Sequence, residues 1–140
     1  MTASGIHNAI LTALQEAGVY AVHGPADVLP TGADGRVGQA AVVWPSPRLN
    51  AYTRADGGRS GGMDRATVIC VGATVLDAVA VADKVDAALG GVRLSDKGGT
   101  LRQTVATSPG AEPNADPVRV SMAIEYAVVT KGDRIPHASS

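Results

Sequence analysis

A chain of 140 residues suits one domain with one core, and a formal net charge of −1 excludes a globally basic nucleic-acid binder. Hydrophobic residues make up 45%, mostly Ala and Val, with no Phe and 3% aromatics, so burial contributes less per side chain and stability is expected to lean on neighbouring subunits. Cys70 is the single cysteine, which excludes an internal disulfide, and no stretch approaches the roughly 18 apolar residues of a membrane helix.

Met1–Ser4 lacks the basic start of a signal peptide, so synthesis and folding in a cytoplasm are expected. Ile6, Ile10, Leu14 and Ala17 recur at intervals of four and three and predict a helix over 4–17, which Gly18 ends. Val19-Tyr20-Ala21-Val22 reads as a short strand. Gly24-Pro25 and Pro30-Thr31-Gly32 mark loops, and Gly32 to Gly38 an exposed turn. Ala40 to Trp44 reads as a strand stopped by Pro45 and Pro47, and Leu49 to Thr53 resumes extended structure. Arg54 to Arg65 holds four glycines and five charges, a composition that excludes a core role and predicts a long loop between two strands.

Residues 66–91 predict a strand running into a helix. Ala66 to Val71 is apolar and β-branched, and Gly72-Ala73 breaks it. Thr74 can cap the N–H of Asp77, and the Asp77 carboxylate can reach back to the N–H of Thr74. The helix then runs Val75 to Leu89 and stops at Gly90-Gly91. Val92 to Leu94 and Leu101 to Thr107 read as strands joined through Lys97-Gly98-Gly99. Ser108 to Pro117, with three prolines, reads as a loop.

Val118 to Thr130 is the longest strand candidate. Val118, Val120, Met122, Ile124, Tyr126 and Val128 alternate with a mixed, half-polar set, which is period two throughout. Lys131 to Ser140 is a polar tail. The expected order is α-β-β-β-α-β-β-β in one domain over 1–140: an α+β fold, with a mainly antiparallel sheet and two helices packed on one face. The opposite face, partly apolar through Ala123, Ala127 and Val129, would then be uncovered in a monomer and points to a partner.

Candidate chemistry is sparse. Gly58-Arg59-Ser60-Gly61-Gly62 matches the Gly-x-Ser-x-Gly pattern, but a nucleophile elbow needs a strand before the serine and a helix after it. Here a polar, glycine-rich stretch precedes it and a strand follows. His7, His23 and His137 have neither metal-ligand spacing nor a cysteine partner. Cys70 reads as a small buried apolar residue. Asp77 is a capping residue, and Asp83 and Asp86 flank Lys84 off the apolar stripe on a solvated face. Gly32-x-x-Gly35-x-x-Gly38 lacks the Lys-Ser/Thr and the following helix of a phosphate loop. Arg54, Arg59 and Arg65 share the long loop and are the candidate interface residues there. Asp56 and Asp64 dilute their charge and no aromatics are interleaved, so a protein-facing or merely solvated loop is favoured over specific nucleic-acid readout. Lys131 and Arg134 are the candidate interface residues of the tail.

Ile10-Leu11-x-x-Leu14, Val19-Tyr20, Val43-Trp44-Pro45, the strand Ala66–Val71 and Val81-Ala82-Asp83-Lys84-Val85-x-x-Ala88-Leu89 occur in one order. In that order, over nearly the whole chain, it resembles the tail terminator (tail completion) proteins of long-tailed bacteriophages, especially those infecting actinobacteria. The Asp-Lys-Val-x-x-Ala-Leu piece followed by Gly-Val is the most suggestive. The resemblance implies a sheet flanked by helices and a hexameric ring in the virion. That ring would cap the tail tube, stop its polymerisation and present a surface to the neck and head connector. DNA would pass through its lumen without being read. It implies no catalytic residue, cofactor, metal or membrane contact. The long loop of that family would correspond to Arg54 to Arg65. A head-completion, stopper or other neck ring protein is the alternative within the same class. A small enzyme or ligand-binding domain would need converging polar groups in a pocket, a set the sequence does not present.

Overall fold

The apolar stripe of the first segment becomes α1 (Ala3–Glu16). It buries Ile6, Ile10, Leu11 and Leu14 against the sheet, and Gly18 ends the turn beyond it with a φ of +83° that favours glycine. The computed structural model describes residues 3–24, 29, 31, 35, 37–45, 49–50, 61–92, 100–112 and 118–131. Next in chain order come β1 (Ala21–His23), β2 (Ala40–Pro45), the two-residue β3 (Leu49–Asn50) and β4 (Gly61–Gly72). These are followed by α2 (Val75–Leu89), β5 (Arg102–Ala106), β6 (Gly110–Glu112) and β7 (Arg119–Lys131). Apart from β3 the order is α-β-β-β-α-β-β-β, the α+β arrangement expected.

The sheet runs β1-β2-β4-β7-β5, with β3 paired to β4 and β6 paired to β7. Among the described strand pairs, β1–β2 is parallel and the others are antiparallel. β4 and β7 form the spine, paired antiparallel along all of β4, from Gly61 opposite Lys131 to Gly72 opposite Val120. Both helices lie on one face. There Ile6, Ile10 and Leu14 of α1 and Val81, Val85 and Leu89 of α2 pack with Val43, Val68, Cys70, Ile124, Tyr126 and Val128. α2 opens on the expected cap, with the Asp77 N–H donating to Thr74 Oγ1 at 3.1 Å.

Four expectations change. Residues 61–65 belong to β4 and not to a loop, and Asp64 is fully buried, so charge there did not exclude a core position. The long pairing with β7 overrides the weak strand preference of Gly61 and Gly62. Residues 51–60 lie outside the described residues. Second, Gly110–Glu112 within the expected loop is a strand, because it pairs with the start of β7. Third, Val92 is not in a strand, although its carbonyl accepts from the Leu101 N–H at 2.8 Å. Residues 93–99 fall outside the described part. Fourth, the helix-free face is not bare throughout. Leu29 and Val37 cover Ala40, Val42 and Val71 on it, with Val22 and Ile69 alongside.

Candidate functional site

The rest of the helix-free face carries a polar belt across β4, β7 and β5. Alternation puts Ile124 and Tyr126 under the helices and Glu125 and Ala127 on the opposite side. Register then aligns Arg65 and Arg102 on either side of Ala127. Arg65 Nη1 donates to Glu125 Oε2 at 3.4 Å, with side chains 24% and 23% exposed. Glu125 Oε1 accepts from Thr104 Oγ1 at 2.8 Å. Thr104 reaches it because the pairing of β5 slips between Gln103 and Val105, a bulge that re-aims the side chain. Further along the face, Arg119 Nε donates to Glu112 Oε2 at 3.2 Å. Such half-exposed pairs contribute up to about 1 kcal/mol each. They hold the Arg65 and Arg119 guanidinium groups in place on the strand surface.

Of the loop arginines, Arg65 therefore stands on a strand and is engaged by Glu125. Arg54 and Arg59 lie outside the described residues. Lys131 ends β7 opposite Gly61, on the same strand pair as Arg65, and Arg134 lies outside the described residues. Ser60 and His137 also fall outside.

A second cluster was not anticipated. His7 of α1 and His23 of β1 meet, with His23 Nδ1 3.1 Å from His7 Nε2 and ring centres 4.4 Å apart. His7 is buried and its Nε2 also lies 2.9 Å from the Val43 carbonyl oxygen. The signal was present in the spacing. His7, Leu11 and Leu14 fall at i, i+4 and i+7, so His7 shares the buried stripe. His23 is two residues from Ala21, and strand alternation turns both toward α1.

Three further ionisable groups among the described residues sit in contacts that hold the fold, Tyr126, Lys84 and Cys70. Tyr126 donates from its hydroxyl to Asp86 Oδ1 at 3.1 Å. Burial, then the Asp86 charge, pushes the Tyr126 hydroxyl well above the ordinary tyrosine range. Lys84 Nζ donates to Gln39 Oε1 at 3.0 Å. Cys70 of β4 is buried in the core beneath the helices, and burial raises its thiol from 9.0 to about 12. A thiolate is the reactive form, so Cys70 is expected to react with a thiol reagent at neutral pH only as fast as the protein opens. Labelling at the rate of a free thiol would refute that seating. The sign of the alkaline effect follows. The folded state holds the proton more tightly than the unfolded chain. Stability is therefore intact below about pH 9 and falls as pH rises toward about 12. Tyr126 acts in the same direction.

Among the described residues no three His, Cys, Asp or Glu side chains group as a metal site, and no helix is long and apolar enough to cross a membrane. Neither a protein-family model nor a curated protein matches the chain.

Proposed function

We propose that this chain is a structural virion protein, a tail terminator whose hexameric ring closes the end of a phage tail tube and offers the surface for joining the head. The observation that carries this reading is the element order α-β-β-β-α-β-β-β with both helices on one sheet face. The sequence resemblance implies a sheet flanked by helices, and this arrangement is compatible with that. The two faces of the sheet support it further. One is sealed by helices, and the other carries arginines fixed by glutamates beside an apolar patch. Unlike faces favour head-to-tail contacts, and a head-to-tail contact that closes gives a cyclic ring. Such a ring has two different ends. One end can match the tube while the other cannot accept another tube subunit, so polymerisation stops without chemistry. In this reading the partners are copies of the same chain, the tube protein and the neck, and DNA passes through the lumen unread.

Phage lacking the gene are expected to make heads and tubes of uncontrolled or excessive length that do not join, as seen by electron microscopy of the lysate. Tails of normal length attached to heads would overturn the proposal. Tails of normal length left unattached would assign the protein to the neck instead.

A further inference from the structure

The contact between His7 and His23 has its proton roles fixed by a third group. The Val43 carbonyl can only accept. It takes the Gly24 N–H at 2.9 Å and His7 Nε2 at 2.9 Å. His7 Nε2 therefore carries a hydrogen. His23 Nδ1, 3.1 Å from that same Nε2, then shares that one hydrogen as a second, bare acceptor, with the ring proton of His23 on its own Nε2. The carbonyl occupies the direction a metal ion on His7 Nε2 would need, so the pair is not a ligand set.

We propose that this contact is an acid-released latch on the edge strand β1. A second proton on His23 turns Nδ1 from acceptor into donor and sets N–H against N–H, so His23 leaves α1. A proton on His7 has no such effect, because Nε2–H donates whether that ring is neutral or charged. His23 is exposed, so the proton reaches it from solvent.

Among their described residues, α1, β1 and β2 carry one other ionisable side chain, Glu16, nine residues along α1 from His7. β4, which also packs on α1, adds Asp64 and Cys70 on the helix side and Arg65 on the other. α2 adds Asp77, Asp83, Lys84 and Asp86, of which Lys84 is bonded to Gln39 and Asp86 to Tyr126.

Release would act on a weakly held element. β1 has three residues and, among the described residues, one neighbouring strand. Among the described residues it is also tied to α1 by Gln15 Nε2 donating to the Ala21 carbonyl at 3.1 Å, and Ala21 packs in the core beneath that helix. The next residue, Gly24, lies under Trp44, and a methyl group built on it would fall 2.2 Å from the indole. Trp44 is 37% exposed and rests on that backbone, so lifting the end of β1 removes its platform.

Trp44 is the single tryptophan, which makes the test direct. Emission of the full chain and the protection factor of the Gly24 amide would be compared between about pH 8 and pH 5, the interval in which histidine changes charge. On acidification Trp44 emission is expected to move to the red, and Gly24 protection to fall about tenfold, the equivalent of one hydrogen bond. His23→Gln, checked for folding by circular dichroism, should lose both steps, and His137→Gln should keep them. The proposal is overturned by an absent step in the unsubstituted protein, by a step that survives in His23→Gln, or by one lost in His137→Gln. Nitrogen chemical shifts at about pH 8 need no variant, and a proton found on His23 Nδ1 would overturn it equally.

Discussion

Ile124→Lys is expected to yield no soluble folded protein. Ile124 sits mid-way along β7, 3% exposed, opposite Val68 of β4 and Ala106 of β5. Its side chain enters the core that α1 and α2 cover. A lysine there would place an ammonium among valines, with Met122 and Tyr126 on either side along the strand. Burying an unpaired charge belongs to the few mechanisms that cost more than about 4 kcal/mol. Domains of this size have about 5–15 kcal/mol in total. Small Ala and Val side chains leave little surplus to absorb the loss. Ile124→Val removes one methyl group and should cost about 1 kcal/mol while remaining soluble. The measurement is the soluble fraction after expression, followed by thermal unfolding. A soluble Ile124→Lys protein melting at the unsubstituted temperature would mean that this face of β7 is not buried.

That residue also marks how far the sequence could be read. The alternation across β7 named its buried face because a strand with one covered side writes its geometry in steps of two. The Thr74 cap was legible for a similar reason, since cap and helix are neighbours in the chain. Segments decided by distant partners were not legible. Gly61 to Arg65 looks like a loop until β7, some sixty residues later, supplies its hydrogen bonds. The same holds for Gly110–Glu112, and for Arg65 with Glu125, whose meeting depends on strand register. Asp64 is the sharpest case, a carboxylate in a glycine-rich stretch that is nevertheless fully buried. The histidine pair stands between these cases. Each ring's inward orientation could be read from local periodicity. Their encounter required knowing that β1 lies beside β2 under the first half of α1.

Gly72→Ala is expected to be the most damaging of the conservative glycine substitutions, and the reason is space rather than backbone conformation. Gly72 ends β4 opposite Val120 and leads directly into α2. A methyl group there would lie 2.4 Å from Asp77 Cβ, 2.8 Å from the Ala78 nitrogen and 2.8 Å from the Asp77 carbonyl carbon. Two of those atoms are backbone in the first turn of α2, so no rotamer change can clear them. The turn itself is held by the Thr74 cap and by Ala78, Val81 and Val85 buried against the sheet. Relief therefore requires α2 to shift as a unit across the β4–β7 spine. Overpacking of this kind costs about 1–3 kcal/mol, and a backbone obstruction belongs at the upper end. For a domain of this length the melting temperature should fall by about 10 °C. Two other glycines separate the causes. Gly91 has open space around it but a φ of +73°, so Gly91→Ala should cost about 1 kcal/mol through the left-handed backbone alone. Gly110 has open space and no such φ, so Gly110→Ala should stay within about 0.5 kcal/mol of the parent. Thermal melts of the three variants are expected to rank Gly72→Ala lowest and Gly110→Ala highest. A Gly72→Ala protein that melts with the parent would mean that the first turn of α2 does not press on the end of β4, and the seating of that helix on the sheet would have to be redrawn.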